Sequence, residues 1–173
     1  LTALLRTSLQ PKERVDVLNN LSYNYYDYND SIGHVYAEQA LAEARRIGYT
    51  EGTQYALTLV GIWHFTIGNY PKALSYFTKS DSLGKNASTN NAIYNLMLMG
   101  NVLADLGQYD SAQLMYERGL AVLHKTKSQR YTSGIYKGYA RLKMYQWQND
   151  KALEYIEKAG QLRSTDSDFQ KRD

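Results

Sequence analysis

Small and bulky residues recur along this chain with the spacing of one helix face, and the recurrence itself repeats. Four segments carry a small residue, three further positions, a second packing residue, two positions and another residue of the same face: Gly33, Ala37, Ala40; Ala73, Phe77, Ser80; Ala112, Tyr116, Gly119; and Ala152, Ile156, Ala159. Successive equivalents lie 40, 39 and 40 residues apart. Upstream of each segment lies a second matched set that reads large, x, x, large, small, x, x, large. These sets are Leu18, Leu21, Ser22, Tyr25; Leu57, Val60, Gly61, His64; Leu96, Met99, Gly100, Leu103; and Tyr136, Tyr139, Ala140, Lys143. Residues three and four apart share a helix face, and a small residue at the point of closest approach lets the neighbouring helix come within roughly 8 to 10 Å. The pattern therefore predicts four pairs of packed helices.

The punctuation agrees with that reading. Gly68, Asn69, Tyr70, Pro71 is a tight turn with proline in the first turn of the next helix, where its missing N–H costs nothing. Gly107, Gln108, Tyr109, Asp110 repeats the turn, with Asp110 as the expected N-cap. Asn29 to Ser31 and Asn149 with Asp150 serve the first and fourth pairs, Gly48 stops a helix after Arg45 and Arg46, and Gly84 to Asn91 is a polar connector. The expected helices run over 11–28, 31–47, 53–67, 71–84, 90–106, 110–125, 131–147 and 150–163.

These residues resemble the tetratricopeptide repeat family over about 11–163. The likeness is strongest where Val60 with Gly61 and Met99 with Gly100 stand at the family's large-then-glycine pair, and where Gly68, Tyr70, Ala73 and Gly107, Tyr109, Ala112 match its turn and second helix. The fourth repeat departs from it, with Trp147 where the family has the turn glycine and Lys143 where it prefers an aromatic. The resemblance implies an all-α, right-handed α-α superhelix of four helix pairs. One repeat domain over 1–173 is expected, with repeats near 11–48, 50–86, 90–126 and 130–163. The leucine at position 1 and the tail over 164–173, where another helix could begin, are read as marks of a fragment. The run from Arg14 through Tyr49, with its tyrosine cluster and the stretch Ala37 to Glu43, also resembles the opening repeat of tetratricopeptide segments in Bacteroidetes signalling proteins such as histidine kinases. That likeness implies a sensor region outside the inner membrane, a periplasmic location, with the cytoplasm as the alternative.

Composition narrows the function. The chain is 43% hydrophobic and 21% charged, close to the globular average, so no disordered class applies. A net charge of +3 lacks the concentrated basic face of a nucleic-acid binder. The basic clusters at Arg45 with Arg46, at Lys125, Lys127 and Arg130, and at Lys171 with Arg172 fall near helix ends, where cations complement the helix dipole. There is no cysteine, which excludes disulfides and thiolate chemistry. No apolar run reaches the roughly 18 residues of a membrane span, so direct membrane contact by this segment is not expected.

Candidate chemistry is sparse. His34, His64 and His124 fall on different elements, and His34 with Glu38 reads as a surface pair four residues apart rather than a metal site. His64 falls on the packing face. No phosphate loop, nucleophile elbow or dinucleotide fingerprint is present, so neither catalysis nor a cofactor or metal is expected.

The expected function is therefore binding. Stacked first helices line the concave side of such arrays, and the stripe opposite their packing residues is the candidate groove. It comprises Asn19, Asn20, Tyr23 and Tyr26 in the first repeat, Tyr55, Thr58, Ile62 and Phe65 in the second, Tyr94, Met97, Asn101 and Asp105 in the third, and Lys137, Arg141 and Tyr145 in the fourth. Ordinary helix packing is an equal reading for Ile62 and Met97. The stripes are in phase, so one contiguous patch is expected, with Lys137 and Arg141 at its edge to orient an acidic group. The partner would be a protein or peptide segment. Self-association of a structural scaffold through the groove, giving a homo-oligomer, is the alternative.

Overall fold

The computed structural model describes residues 9–26, 28–83, 89–126 and 131–169. Among these residues eight helices follow one another: α1 (Pro11–Tyr25), α2 (Asp30–Arg46), α3 (Thr50–Thr66), α4 (Tyr70–Leu83), α5 (Thr89–Asp105), α6 (Tyr109–Thr126), α7 (Thr132–Tyr145) and α8 (Asn149–Phe169). Among the described residues there is no strand. The chain divides into two compact units, 1–91 and 92–173.

The same turn recurs four times and explains the helix ends. After α3, Gly68 takes φ 75°, its N–H donates to the Phe65 carbonyl, and the Asn69 N–H reaches back to His64 O at 2.8 Å. Gly48 after α2 and Gly107 after α5 repeat this geometry, with Tyr49 N donating to Ala44 O and Gln108 N to Leu103 O. The left-handed residue lets the last carbonyls of each helix find donors, and glycine adopts it without a Cβ clash. After α7 the left-handed residue is Trp147, at φ 59°, and Gln148 N donates to Lys143 O at 2.9 Å. The departure from the repeat pattern thus keeps the turn and accepts the strain.

Helix starts are set locally. The Asn29 side chain accepts from Ile32 N–H, and Asn69 Oδ1 accepts from Lys72 N–H. At α1 the Gln10 N–H donates to the Glu13 carboxylate and Pro11 is the first helical residue. Several boundaries differ from expectation. α1 ends at Tyr25 rather than 28, where the N–H groups of Tyr28 and Asn29 both turn back to Tyr25 O. α3 begins at Thr50 rather than 53, because the Gly48 turn delivers the chain directly into a helix whose Thr53 N–H bonds Tyr49 O. α6 begins at Tyr109, so Asp110 lies inside the first turn and complements the dipole there instead of capping. α8 continues to Phe169, beyond 163. Residues 84–88 of the expected connector lie outside the described residues, as do Lys127, Arg130, Lys171 and Arg172.

In the first unit α1, α2 and α3 pack on one another and α3 on α4. Its core joins Leu18, Ala37, Ala40, Leu41, Ala56, Leu57, Leu59 and Val60. Burying each leucine there contributes about 1.5 to 3 kcal/mol. Gly61 lies beneath the Phe77 ring, where a Cβ would come within 2.5 Å of Cε1. Arg14 Nε donates to both Glu43 oxygens at 3.0 and 3.1 Å and ties α1 to α2.

The second unit repeats the device one repeat later. The fully buried Tyr116 ring of α6 is wedged between Gly100 of α5 and Gly138 of α7. In the fourth pair the expected packing residue Ile156 is half exposed, at 50%. Tyr155 packs in its place, stacked on Tyr139 at 4.9 Å and 13° and tilted against Tyr136 at 6.1 Å. The two tyrosines of α7 recruit an aromatic partner one position earlier on α8, and Ile156 is rotated outward.

Candidate functional site

A cleft of the second unit lies between α5 and α7. It holds about 320 Å³ and is lined by Met97, Asn101, Gly134, Lys137, Gly138 and Arg141. Four of these are the predicted groove residues of repeats three and four. They meet because Met97 and Asn101, and Lys137 and Arg141, stand four residues apart on their helices. Gly134 and Gly138 share that spacing on α7 and keep the wall low: a Cβ at Gly134 would fall 2.5 Å from Met97 Sδ.

Partly buried hydrogen bonds hold the polar side of the cleft. The Tyr116 hydroxyl donates to Asn101 Oδ1 at 2.8 Å, and the Arg141 guanidinium donates to Asn101 O at 3.2 Å. Arg141 also stands 3.5 Å from Asp105 Oδ1, which accepts from the Tyr145 hydroxyl at 3.0 Å. Burial, with Asp105 and Tyr145 adding to it, pushes the Tyr116 phenol up to about 12, so it remains a donor at neutral pH. Arg141 is therefore already paired, whereas Lys137 is exposed and no ion pair among the described residues reaches it. The cleft offers one open ammonium beside a guanidinium fixed by its neighbours. Tyr94 lies one turn before Met97 and stacks on Tyr131 at 5.0 Å.

In the first unit the predicted residues separate by accessibility. Asn20 and Tyr23 are exposed. Tyr55 and Ile62 are half-buried against the core, and Phe65 leans on Tyr70 with ring centroids 5.8 Å apart. Three expectations are revised. Thr58 is only 1% exposed: its hydroxyl lies 2.9 Å from Ser80 Oγ and 3.2 Å from Gln54 O, so it joins α3 to α4 instead of facing a groove. Tyr26 is largely buried and its hydroxyl donates to Leu59 O, which fastens the end of α1 to α3. His34 feels the Glu38 carboxylate, but no ion pair joins the two among the described residues. Its imidazole stacks on Trp63 at 3.8 Å and 5°, and Trp63 meets His64, which stacks on Tyr76 at 5.2 Å.

The arrangement suits recognition. Among the described residues no three His, Asp or Glu side chains gather to hold a metal ion, and no helix is long and apolar enough to cross a membrane.

Comparison with solved structures gives the fold its relatives. The apo form of RapI superposes with a TM-score of 0.75 at 21% identity, over 96% of this chain and 62% of that one. Aspartyl phosphate phosphatase F from Bacillus subtilis superposes at 0.77 and 20% identity, over 95% of this chain and 44% of that one. A protein of nearly identical TPR-like repeats from Podosopora anserina superposes at 0.64 and 15% identity, over 95% of this chain and 82% of that one. The fold is tetratricopeptide-like. The chain spans less than two thirds of the length of the first two of these tetratricopeptide-like structures. No protein-family model matches the sequence, and no curated protein matches it.

Proposed function

We propose that this chain is a non-catalytic module that binds a protein or peptide segment, and that it does so as the sensor or interaction region of a larger signalling protein. The observation that carries the binding role is the α5–α7 cleft. A small cavity with one apolar wall at Met97, one amide and two cations suits an extended segment that offers an apolar side chain beside a carboxylate. Lys137 supplies the unpaired charge, and Arg141 supplies direction because Asn101 and Asp105 fix its guanidinium. Tyr94, one turn before Met97 on α5, supplies aromatic contact area, the usual source of affinity in such surfaces. The sensor role rests on the likeness of Arg14 through Tyr49 to signalling repeats.

Selection of random peptides on the immobilised chain tests the binding role. Wild type should enrich sequences with an acidic residue next to an apolar one, and the Lys137→Ala, Arg141→Ala double variant should lose that acidic preference. Selection of the same sequences by both proteins would remove the assignment.

A further inference from the structure

A second cleft lies wholly in the first unit, and its chemistry is the opposite of the first. It holds about 220 Å³ and is lined by Asp16 and Asn19 of α1, Tyr49 before α3, Glu51, Gly52 and Tyr55 of α3, and Asn91. That volume is below the roughly 300 Å³ at which sites for whole small molecules begin, and suits a single side chain. Gly52 cannot carry a side chain here, because a Cβ would fall 2.5 Å from Tyr49 Cδ1 and 2.7 Å from Val15 Cγ1.

The decisive atom is Asn19 Oδ1. Asn19 is 2% exposed and its amide nitrogen donates to Gly52 O at 3.3 Å, while its oxygen finds no hydrogen-bond partner among the described residues. A buried acceptor without a donor costs about 1 to 3 kcal/mol, so a donor from outside is strongly favoured there. The remaining polar groups ask for the same thing. Asp16 and Glu51 bring two carboxylates, and the Tyr49 hydroxyl is already engaged with Asp16. Burial and the neighbouring Glu51 charge both disfavour the ionised Asp16, the strain that a bound cation would relieve. Among the described residues, Lys12 is the cation that acts on Asp16. Its ammonium sits 5.3 Å from the Tyr49 ring centre and attracts Asp16, but it is not among the cleft's lining residues and leaves two carboxylates facing one positive charge.

We propose that this cleft binds the guanidinium of an arginine side chain presented by a partner peptide. A guanidinium has five donors in one plane, against three on an ammonium, and is more weakly hydrated. It can serve both carboxylates and the Asn19 oxygen together, and it stacks on tyrosine rings such as that of Tyr55. This goes beyond the acid-binding cleft of the second unit and does not depend on it.

Capped single residues test the site without touching that cleft, since they carry no carboxylate. N-acetyl-arginine methylamide and its lysine and citrulline counterparts are titrated into the ¹⁵N-labelled chain and followed by amide shifts. The arginine probe should shift residues 16–19 and 49–55, and the neutral citrulline probe, nearly the same shape, should not. The Asp16→Asn, Glu51→Gln double variant, checked for an unchanged spectrum elsewhere, should weaken arginine binding about tenfold or more. Equal shifts with citrulline, no shifts with arginine, or undiminished binding by the variant would each overturn the site. Lysine binding as tightly as arginine would overturn the guanidinium assignment.

Discussion

Adding one methyl group at Gly100 probes the packing argument at its narrowest point. An ideal Cβ there would collide with Tyr116 Cε1 and lie 2.7 Å from Cδ1 and 2.9 Å from Cζ. Carbon atoms in contact prefer about 3.5 to 4.0 Å, so the ring must retreat by about 1 Å. It has nowhere to go. On α7 the ring abuts Gly138, where a Cβ would lie 2.6 Å from Cζ, and its hydroxyl is held 2.8 Å from Asn101 Oδ1. Overpacking of this kind costs about 1 to 3 kcal/mol, against a gain of about 1 kcal/mol from replacing glycine by alanine inside a helix. Gly100→Ala should therefore lose about 1 kcal/mol and melt roughly 2 to 4 °C lower, and Gly100→Leu should lose about 3 kcal/mol or more. Gly160→Ala in α8 is the control, because nothing among the described residues lies within 4 Å of its Cβ position. It should stabilise by up to about 1 kcal/mol. Thermal melts of the three variants decide the matter: Gly100→Ala melting at or above wild type would refute the wedge.

Two further outcomes follow from strained or buried groups. Burial lowers the affinity of His34 and His64 for protons from the ordinary 6.5, and Lys72 and the two histidines' mutual repulsion act on His64 in the same direction, opposed by Glu38. The unfolded chain thus takes up protons near pH 6.5 that the folded chain refuses, so stability is full above that pH and declines as pH falls through it. Melting should be lower at pH 5.5 than at 7.5, and His64→Phe should flatten the difference; an identical slope in that variant would contradict this account. Trp147 holds the left-handed turn at φ 59° while 90% exposed, so Trp147→Gly should remove strain of about 1 kcal/mol or more and raise the melting temperature. A lower melting temperature would show that the indole contributes packing that outweighs the strain.

The helix pairs were legible in the sequence because their contacts and turns leave residue-level marks. A helix crossing that needs Gly61 or Gly100 beneath a ring, and a turn that needs φ near 70° at Gly68 or Gly107, both select glycine at a fixed phase. At the fourth turn Trp147 stands where a glycine was expected and Asn149 with Asp150 marked the break instead, since the backbone bond from Gln148 to Lys143 O needs no particular side chain. The α5–α7 cleft was legible for the same periodic reason, and the i, i+4 pair Gly134 and Gly138 was a further signal that pointed to it. Thr58 was misplaced because a threonine on a helix reads alike whether it faces water or a buried serine, and only the fold brings Ser80 beside it. Of the acidic cleft, the periodic stripe marked Asn19 and Tyr55 but not its carboxylates. Asp16, Tyr49 and Glu51 come from a helix, a connector and the next helix start, and are neighbours through packing alone.

Binding at the α5–α7 cleft is the central claim, and amide-shift mapping of a selected acidic peptide on the ¹⁵N-labelled chain tests it most directly. The account predicts shifts centred on Met97, Asn101, Gly134, Lys137, Gly138 and Arg141, reversed by neutralising the peptide's acid. Shifts confined to the outward faces of α6 and α8, or shifts that track the concentration of the chain itself without peptide, would contradict it.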